Sequence, residues 1–303
     1  MKTSLAPSVT TRDRKGLKFV SIVEAAYNKA GLSEDEAQRV NDAPGLSKLV
    51  DNFITDSRSN NRYADEEVRS NYAYPSEYEG PKPIEKQVDI LAGIFELSLG
   101  GTMEFMEKVL PTLTLPEWAE GWGAFPSVDA VAARFFPEVK DPKERYCRAT
   151  NLVLEKISDS RKFYNYRKGE ILPDRFRQHA RAAYALDLIA EKQKGDILIF
   201  PFQFGKRHAG RSTRRAWEAF EQPIEFGLGA FHTGSQILVH PERLVRYEEL
   251  DMDCPGDEFS PGADGDFSKA PRFYFSGGGV EFGTYWVGGT SDGYGSVSGA
   301  VPQ

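Results

Sequence analysis

The first half of the chain carries apolar residues at helical spacing. Residues three and four positions apart share a helix face, and Phe19, Ile22, Val23, Ala26 and Tyr27 form such a stripe. The same spacing recurs in segments 46–54, 84–95 and 103–110. The pattern therefore predicts a helical N-terminal half.

Helix boundaries are marked by polar residues next to these stripes. Ser33 followed by Glu36 has the spacing of a capping box, which opens a helix. Asp141 followed by Pro142 predicts another helix start, because aspartate caps a helix and proline suits its first position. We expect that helix to reach about residue 157 and a further one to run from Pro173 to about residue 195.

The pattern changes after Gly195, where short apolar runs alternate with glycine-rich breaks. The runs predict strands over residues 196–204, 226–239, 245–253, 272–275, 280–287 and 294–301. Three consecutive glycines at 277–279 predict a hairpin. The sequence thus predicts an α+β fold, with a helical N-terminal half followed by a strand-rich C-terminal half whose glycine density would allow a small barrel.

Four regions follow from composition. We predict a small helical region over 1–56, a polar loop or linker over 57–83, a helical region over 84–194 and a β-rich module over 195–303. Trp118, Trp122 and Phe125 lie in a stretch broken by glycine and proline, where they either line a ligand pocket or anchor a loop to the core; anchoring is the commoner role.

The apolar segments are too short to predict a membrane span, and the first residues lack the apolar core of a signal peptide. Only two cysteines occur, Cys147 and Cys254, far fewer than a secreted domain of this size usually has. We therefore predict a cytoplasmic protein without a disulfide.

Charge is distributed unevenly along the chain. The net charge is −7 over residues 1–142, +10 over 143–215 and −10 over 216–303. Two clusters dominate the basic segment. The first interleaves cations with Phe163, Tyr164 and Tyr166, a composition that suits the stacking of single-stranded RNA.

The second basic cluster follows a predicted strand and precedes a short predicted helix. A strand, a glycine turn and a helix start together predict an anion site for phosphate or carboxylate. Its candidate residues are Lys206, Arg207, His208, Arg211, Ser212, Arg214 and Arg215. The spacing of a Walker A loop or of a Rossmann fingerprint is absent.

The C-terminal half resembles an uncharacterised family of candidate-phylum (Parcubacteria-type) bacteria. The resemblance is carried by residues 195–205, 208–212, 225–231 and 240–244. It implies a bacterial cytosolic setting, and it implies no activity and no catalytic residues.

Acidic residues near the C-terminus offer a weaker pattern. Asp251 and Asp253 would share one face of a strand, a geometry compatible with a divalent metal. A strand end that enters a Pro-Gly turn explains the same residues and is the better interpretation. We therefore predict no metal and no cofactor.

Three functions remain open. The leading prediction is a non-enzymatic protein that binds RNA, a nucleotide or another polyanion through residues 161–215. One alternative is an enzyme for a small anionic substrate, with Arg207 and Arg211 as clamps and His208 or an acid near Asp253 as acid and base. The other is an interaction protein whose basic segment pairs with its own acidic ends.

Overall fold

A computed structural model of the chain describes residues 14–43, 45–50, 62–262 and 264–303. The chain divides into two compact units, residues 1–60 and 61–303. Each unit is treated separately below. The fold is α+β, with helices dominating the first half and strands the second, as the sequence predicts.

The described residues of the first unit are mostly helical. Helix α1 spans Arg14–Lys29 and helix α2 spans Glu34–Asn41. The predicted capping box is confirmed, since the Ser33 backbone N–H donates to the Glu36 carboxylate over 2.9 Å. Residues 46–50 are helical, whereas the rest of the predicted third stripe, 51–54, and residues 57–61 of the predicted linker lie outside the described residues.

Most helices lie in the second unit. They are α3 (Ile84–Phe95), α4 (Gly100–Lys108), α5 (Val128–Phe135), α6 (Pro142–Ser160), α7 (Ala180–Gln193), α8 (Thr213–Ala219) and α9 (Ala230–Val239). Short 3₁₀ turns occupy Leu110–Thr112, Lys206–His208 and Pro241–Arg243. Asp141 caps α6 as predicted, because its side chain accepts the N–H of Glu144.

Four strands of the described part of the chain have six to eight residues, and the others have three. The strands are β1 (Gly121–Pro126), β2 (Phe163–Asn165), β3 (Phe176–Gln178), β4 (Ile197–Gln203), β5 (Glu225–Gly227), β6 (Asp251–Asp253), β7 (Asp257–Phe259), β8 (Lys269–Ser276), β9 (Gly279–Trp286), β10 (Tyr294–Ser296) and β11 (Ser298–Ala300). The hairpin predicted at the three glycines is confirmed as β8–β9, which pair in antiparallel register.

The strands form two sheets. The first sheet has the order β1-β4-β11-β5, and the second has the order β10-β6-β8-β7-β3, with β9 joining β8 to β2. In the first sheet the outer strands, β1 and β5, do not pair with each other, and the second sheet also keeps free edges. Among the described residues neither sheet closes, so the small barrel that the sequence allowed is not formed.

One hydrophobic core holds the second unit together. Strand β4 is buried along its whole length, which explains its unbroken apolar sequence. Core residues come from the helical segments as well as from both sheets, from Tyr78 in the chain to Val297. The predicted helical region 84–194 and the β-rich module 195–303 therefore share a core.

Two predicted segments differ from the structure. Residues 226–239 were predicted as strand, but only Glu225–Gly227 is a strand and Ala230–Val239 is helix α9. The helix predicted from Pro173 begins instead at Ala180, because Phe176–Gln178 pairs with β7 as a strand. In both places a contact from distant sequence decides the local structure.

Candidate functional site

The predicted anion site lies where the basic turn meets helix α8. Ser212 caps α8, because its Oγ accepts the backbone N–H of Arg215 over 3.1 Å. Gly210 has a φ of 82°, and a Cβ there would lie 2.0 Å from the carbonyl oxygen of Val68. Glycine is therefore required where segment 66–70 crosses the turn.

Carboxylates of the same chain lie against these cations. The Ser212 hydroxyl donates to Glu66 over 2.7 Å, and Arg214 pairs with the same carboxylate. Arg211 lies 3.0 Å from Glu67. Glu66 and Glu67 belong to the acidic first part of the chain, which thus supplies an anion at the predicted site.

The C-terminal acidic part supplies further partners. Arg215 contacts Glu67 over 3.1 Å and Glu218 over 2.9 Å. Arg207 lies 3.2 Å from Glu225, a fully buried carboxylate. The pairing keeps cations and carboxylates in hydrogen-bonded geometry within one partly buried network.

His208 is neutral in this network. Arg211 Nη1 lies 3.1 Å from His208 Nδ1, and an arginine can only donate, so Nδ1 is the acceptor. The other ring nitrogen, Nε2, then carries the proton and donates to Glu225 over 2.7 Å. Burial lowers the pKa of His208, with Arg207 and Arg211 acting in the same direction.

Glu225 is ionised. Burial by itself works to raise the pKa of Glu225, but the hydrogen bond from His208 and the charge of Arg207 outweigh it and lower that pKa to about 2. The Ser298 hydroxyl also donates to Glu225 over 2.7 Å. This carboxylate therefore fastens the basic turn to strands β5 and β11.

The predicted stacking residues separate onto two sides of strand β2. Phe163 is partly buried and packs against the core. Tyr164 and Tyr166 are 58% and 49% exposed, and their ring centroids lie 4.5 Å apart. The alternation of a strand explains the separation, because successive side chains point to opposite faces.

A cavity of about 550 Å³ opens beside the basic turn. Its lining joins residues from three separate parts of the chain: Tyr74, Tyr78, Gly80, Pro81, Trp118, Glu120, Gln203, Lys206 and Arg207. We call it the first cavity. It contains Lys206 and Arg207 from the predicted anion site, whereas the other five predicted anion-binding residues do not line it.

Glu120 organises the aromatic wall of the first cavity. Its carboxylate accepts hydrogen bonds from the hydroxyls of Tyr74 (2.5 Å) and Tyr78 (3.2 Å) and from the backbone N–H of Phe204 (2.9 Å). Burial raises the pKa of Glu120, although these hydrogen bonds favour its charged form. Because three donors converge on it, both tyrosine rings are fixed in place.

Arg243 lies behind this wall. It is fully buried, its Nη2 donates to the carbonyl of Leu250 over 2.9 Å, and its guanidinium lies 4.1 Å from the centroid of the Tyr74 ring. Burial lowers the pKa of Arg243. Arg243 was not predicted as a functional residue, since nothing local marks it in the sequence.

Trp118 forms the opposite side of the cavity. Its indole N–H donates to Glu221 over 2.8 Å, and the Arg207 guanidinium lies 4.7 Å from its ring centroid. Trp118 belongs to the aromatic cluster recognised in the sequence. Of that cluster, Trp118 lines the pocket, whereas Phe125 is buried in the core.

The acidic residues near the C-terminus lie outside this cavity. Asp251 is 3.4 Å from Arg272, and Asp253 is buried next to it on β6. Within the described ranges, no three or more histidine, cysteine, aspartate or glutamate side chains gather as a metal site. Of the helices in those same ranges, none has the length and apolar character needed to cross a bilayer.

Comparison with known proteins adds no relative. No protein-family model, no curated protein and no solved structure matches this chain.

Proposed function

We propose that the protein binds a small anionic ligand of nucleotide size in the first cavity. The observation that carries this proposal is the lining, which places the Lys206 ammonium and the Arg207 guanidinium beside three aromatic rings. In the bound state Lys206 and Arg207 contact the anionic group. Tyr74, Tyr78 and Trp118 contact the flat part of the ligand.

The volume and the walls of the cavity support a nucleotide. About 550 Å³ falls within the range of sites for small molecules. Aromatic faces stack on nucleobases regardless of their sequence, and cations bind phosphate through charge-assisted hydrogen bonds. In this proposal Lys206 and Arg207 contact the ligand, and Arg207 also takes part in the internal ion pairs together with Arg211, Arg214 and Arg215.

Binding is better supported than catalysis. Glu120, the carboxylate of the cavity, is engaged by three donors that hold the wall. His208 is buried against Glu225, and Asp253 is buried on β6, so neither acid–base candidate of the enzyme hypothesis lines the cavity. A cytoplasmic location is part of the proposal, since both thiols, Cys147 and Cys254, are free and buried.

The test is a calorimetric titration of the full chain with AMP, adenosine and inorganic phosphate at low salt. We expect AMP to bind more tightly than either fragment, because only AMP engages both the cations and the rings. Lys206→Met should weaken AMP binding about tenfold or more, the effect expected for a lost charge-assisted hydrogen bond.

Lys192→Met is the matched control, because Lys192 is an exposed lysine at the end of α7. It should bind AMP like the wild type. Absence of AMP binding at low salt, or equal affinity of Lys206→Met and wild type, would refute the proposal.

Single-stranded RNA on strand β2 is a second candidate, favoured by the exposure and mutual contact of Tyr164 and Tyr166. A labelled oligouridine followed by fluorescence anisotropy tests it. Loss of binding in the double variant Tyr164→Ala/Tyr166→Ala, with AMP binding intact, would support this candidate. RNA binding that is unchanged in the double variant would exclude this face.

The internal pairing hypothesis is supported by the same ion pairs. Glu66 and Glu67 belong to the acidic N-terminal part of the chain. They pair with Arg211, Arg214 and Arg215. We propose that these ion pairs hold residues 62–70 against helix α8. The cations that line the first cavity, Lys206 and Arg207, then contact the ligand.

A further inference from the structure

A second cavity, of about 600 Å³, lies between segment 71–76 and segment 246–249. It is lined by Asn71, Tyr72, Ala73, Tyr74, Pro75, Ser76, Arg246, Tyr247, Glu248 and Glu249. We propose that this second cavity is a binding site for an organic ammonium ion. The proposal is independent of the function assigned to the first cavity.

The charges around the second cavity favour a cation. Glu248 and Glu249 both line it. Arg246, the cation in the lining, is paired with Glu77. Asp292 also acts at this surface, since its charge is the main cause that raises the pKa of the Tyr72 phenol, with burial and then Tyr247 and Glu248 adding to it. Arg243 and Arg246 act on Glu249, so the negative charge beyond these cations comes from Glu248 in the lining and from Asp292 nearby.

Glu249 is the group that points most directly to a ligand. Its residue is only 8% exposed. Oε2 accepts the backbone N–H of Val245 over 3.1 Å, and the backbone N–H of Arg246 also favours the charged carboxylate. Oε1 is buried without a hydrogen-bond partner of good geometry among the described residues. An unsatisfied buried carboxylate oxygen is unfavourable. An ammonium ion bound at the cavity would supply the missing donor.

The backbone next to it is held in an unusual conformation. Glu248 has a φ of 74°, in the left-handed region that a non-glycine residue seldom adopts. Two other described non-glycine residues share this feature, Glu96 and Lys194, and both end helices, where it is common. Glu248 ends no helix, and both it and Glu249 line the second cavity. Such local strain is typical of ligand sites.

Aromatic rings complete the site. Tyr247 is 74% exposed, a large apolar surface for a side chain beside a cavity. Tyr72 lines the cavity from the other segment, and a Cβ at Gly293 would lie 3.4 Å from its ring, an ordinary van der Waals distance. An ammonium ion near tyrosine faces gains a cation–π attraction, which is stronger where water is excluded. Tyrosine rings and carboxylates together select an organic cation over a hydrated metal ion.

The experiment uses the full chain, ¹⁵N-labelled and followed by amide chemical shifts. The probes are n-butylammonium, its neutral counterpart n-butanol and sodium ion. We expect n-butylammonium to shift the amides of Tyr247, Glu248 and Glu249 in a saturable manner. Butanol and sodium should cause no saturable shift at the same concentrations.

Variants separate the proposal from a general acidic surface. Glu249→Gln keeps the size of the side chain and an oxygen for the Val245 N–H, but removes the charge, and it should weaken n-butylammonium binding at least tenfold. Tyr247→Leu should weaken it several-fold. Glu191→Gln, which removes an exposed carboxylate on α7, is the matched control and should bind like wild type.

Thermal melting of each variant checks that the fold is intact. No saturable shift with n-butylammonium overturns the proposal, as does equal binding of butanol or an unchanged affinity of Glu249→Gln. If Glu249→Gln melts at a lower temperature than wild type, the test rests on Tyr247→Leu, because the Tyr247 side chain is exposed. Wild-type affinity for n-butylammonium in Tyr247→Leu would then overturn the proposal.

Discussion

At the scale of single residues, Glu66 and Glu67 take the place that an external anion would occupy beside helix α8. They receive the Ser212 hydroxyl and three arginines. A partly buried network of this kind holds more tightly than an isolated surface pair, because its donors are already oriented. Lys206 and Arg207 line the first cavity and are therefore the cations within reach of a ligand there, and Arg207 also pairs with Glu225.

Buried aspartates give the protein a distinctive dependence on pH. Burial raises the pKa of Asp253 to about 7, with Asp251 acting in the same direction and Arg272 opposing. Between the ordinary value of 3.8 and about 7, the folded state therefore binds a proton that the unfolded state does not. The free energy of unfolding falls as pH rises across this window.

Asp253→Asn should remove this contribution. Between pH 5 and pH 8, ionisation of Asp253 should lower the free energy of unfolding of the wild type by at most about 3 kcal/mol. The variant should not show this decrease. Urea unfolding at both pH values measures the difference. Below pH 6.5 the buried histidines have the opposite effect, because they make the free energy of unfolding rise with pH. The difference between variant and wild type is therefore the informative quantity. Parallel pH profiles of the two proteins would contradict the assignment.

At the scale of elements, helix α9 packs against helix α6 through a glycine. A Cβ at Gly234 would lie 2.5 Å from Cγ1 of Val153, far inside normal contact. Gly93 in helix α3 offers the opposite case, because a Cβ there would meet nothing within 4 Å. Alanine at Gly234 therefore tests the close packing of two helices, whereas alanine at Gly93 tests helix propensity alone.

Gly234→Ala should destabilise the protein by about 1–3 kcal/mol, the usual cost of overpacking a core. Gly93→Ala should stabilise it by up to about 1 kcal/mol, since alanine favours the helix. Urea unfolding midpoints of both variants test the pair. Adding Val153→Ala to Gly234→Ala should recover part of the loss. A stabilised Gly234→Ala would show that α9 does not approach α6 so closely.

The pattern of neighbouring residues in the sequence predicted those elements that are determined by interactions between neighbouring residues. The capping box at Ser33, the α6 start at Asp141 and the β8–β9 hairpin are all confirmed, because each rests on neighbours in sequence. Helix α9 was predicted as strand. Its N-terminus is capped by Asp257, which accepts the Ala230 N–H from 27 residues away, and its buried apolar run has no alternation to distinguish the two states.

The same reasoning explains what was missed in the first cavity. Lys206 and Arg207 were predicted to bind an anion because they lie in a basic run, whereas the preferred prediction for the cluster of Trp118 was that it anchors a loop. Tyr74 and Tyr78 lie in a polar segment that reads as a loop, and Glu120 joins them over 46 and 42 residues of sequence. A pattern of neighbouring residues cannot predict hydrogen bonds between residues that lie so far apart in the sequence.

At the scale of the whole molecule, residues 61–303 form a compact unit with a core of their own. A fragment starting at Asn61 should therefore fold without the first unit. We expect its melting temperature to lie within about 2 °C of the full chain, which corresponds to less than about 1 kcal/mol for a unit of this size. Calorimetry of both proteins measures it.

A shorter fragment, residues 84–303, is the control. It lacks Glu66 and Glu67, which pair with Arg211, Arg214 and Arg215 in the longer fragment, and it lacks the wall tyrosines Tyr74 and Tyr78. It should melt well below the fragment 61–303. Equal melting of the two fragments would mean that residues 61–83 add nothing to the unit.

Tyr74 lines the first cavity and the second. Its hydroxyl is fixed by Glu120 and by the Lys206 N–H, and its ring lies against Arg243. A ligand that displaces this ring from one side reshapes the wall on the other. Occupation of the two cavities is then thermodynamically linked, and each ligand must change the affinity of the other by the same factor.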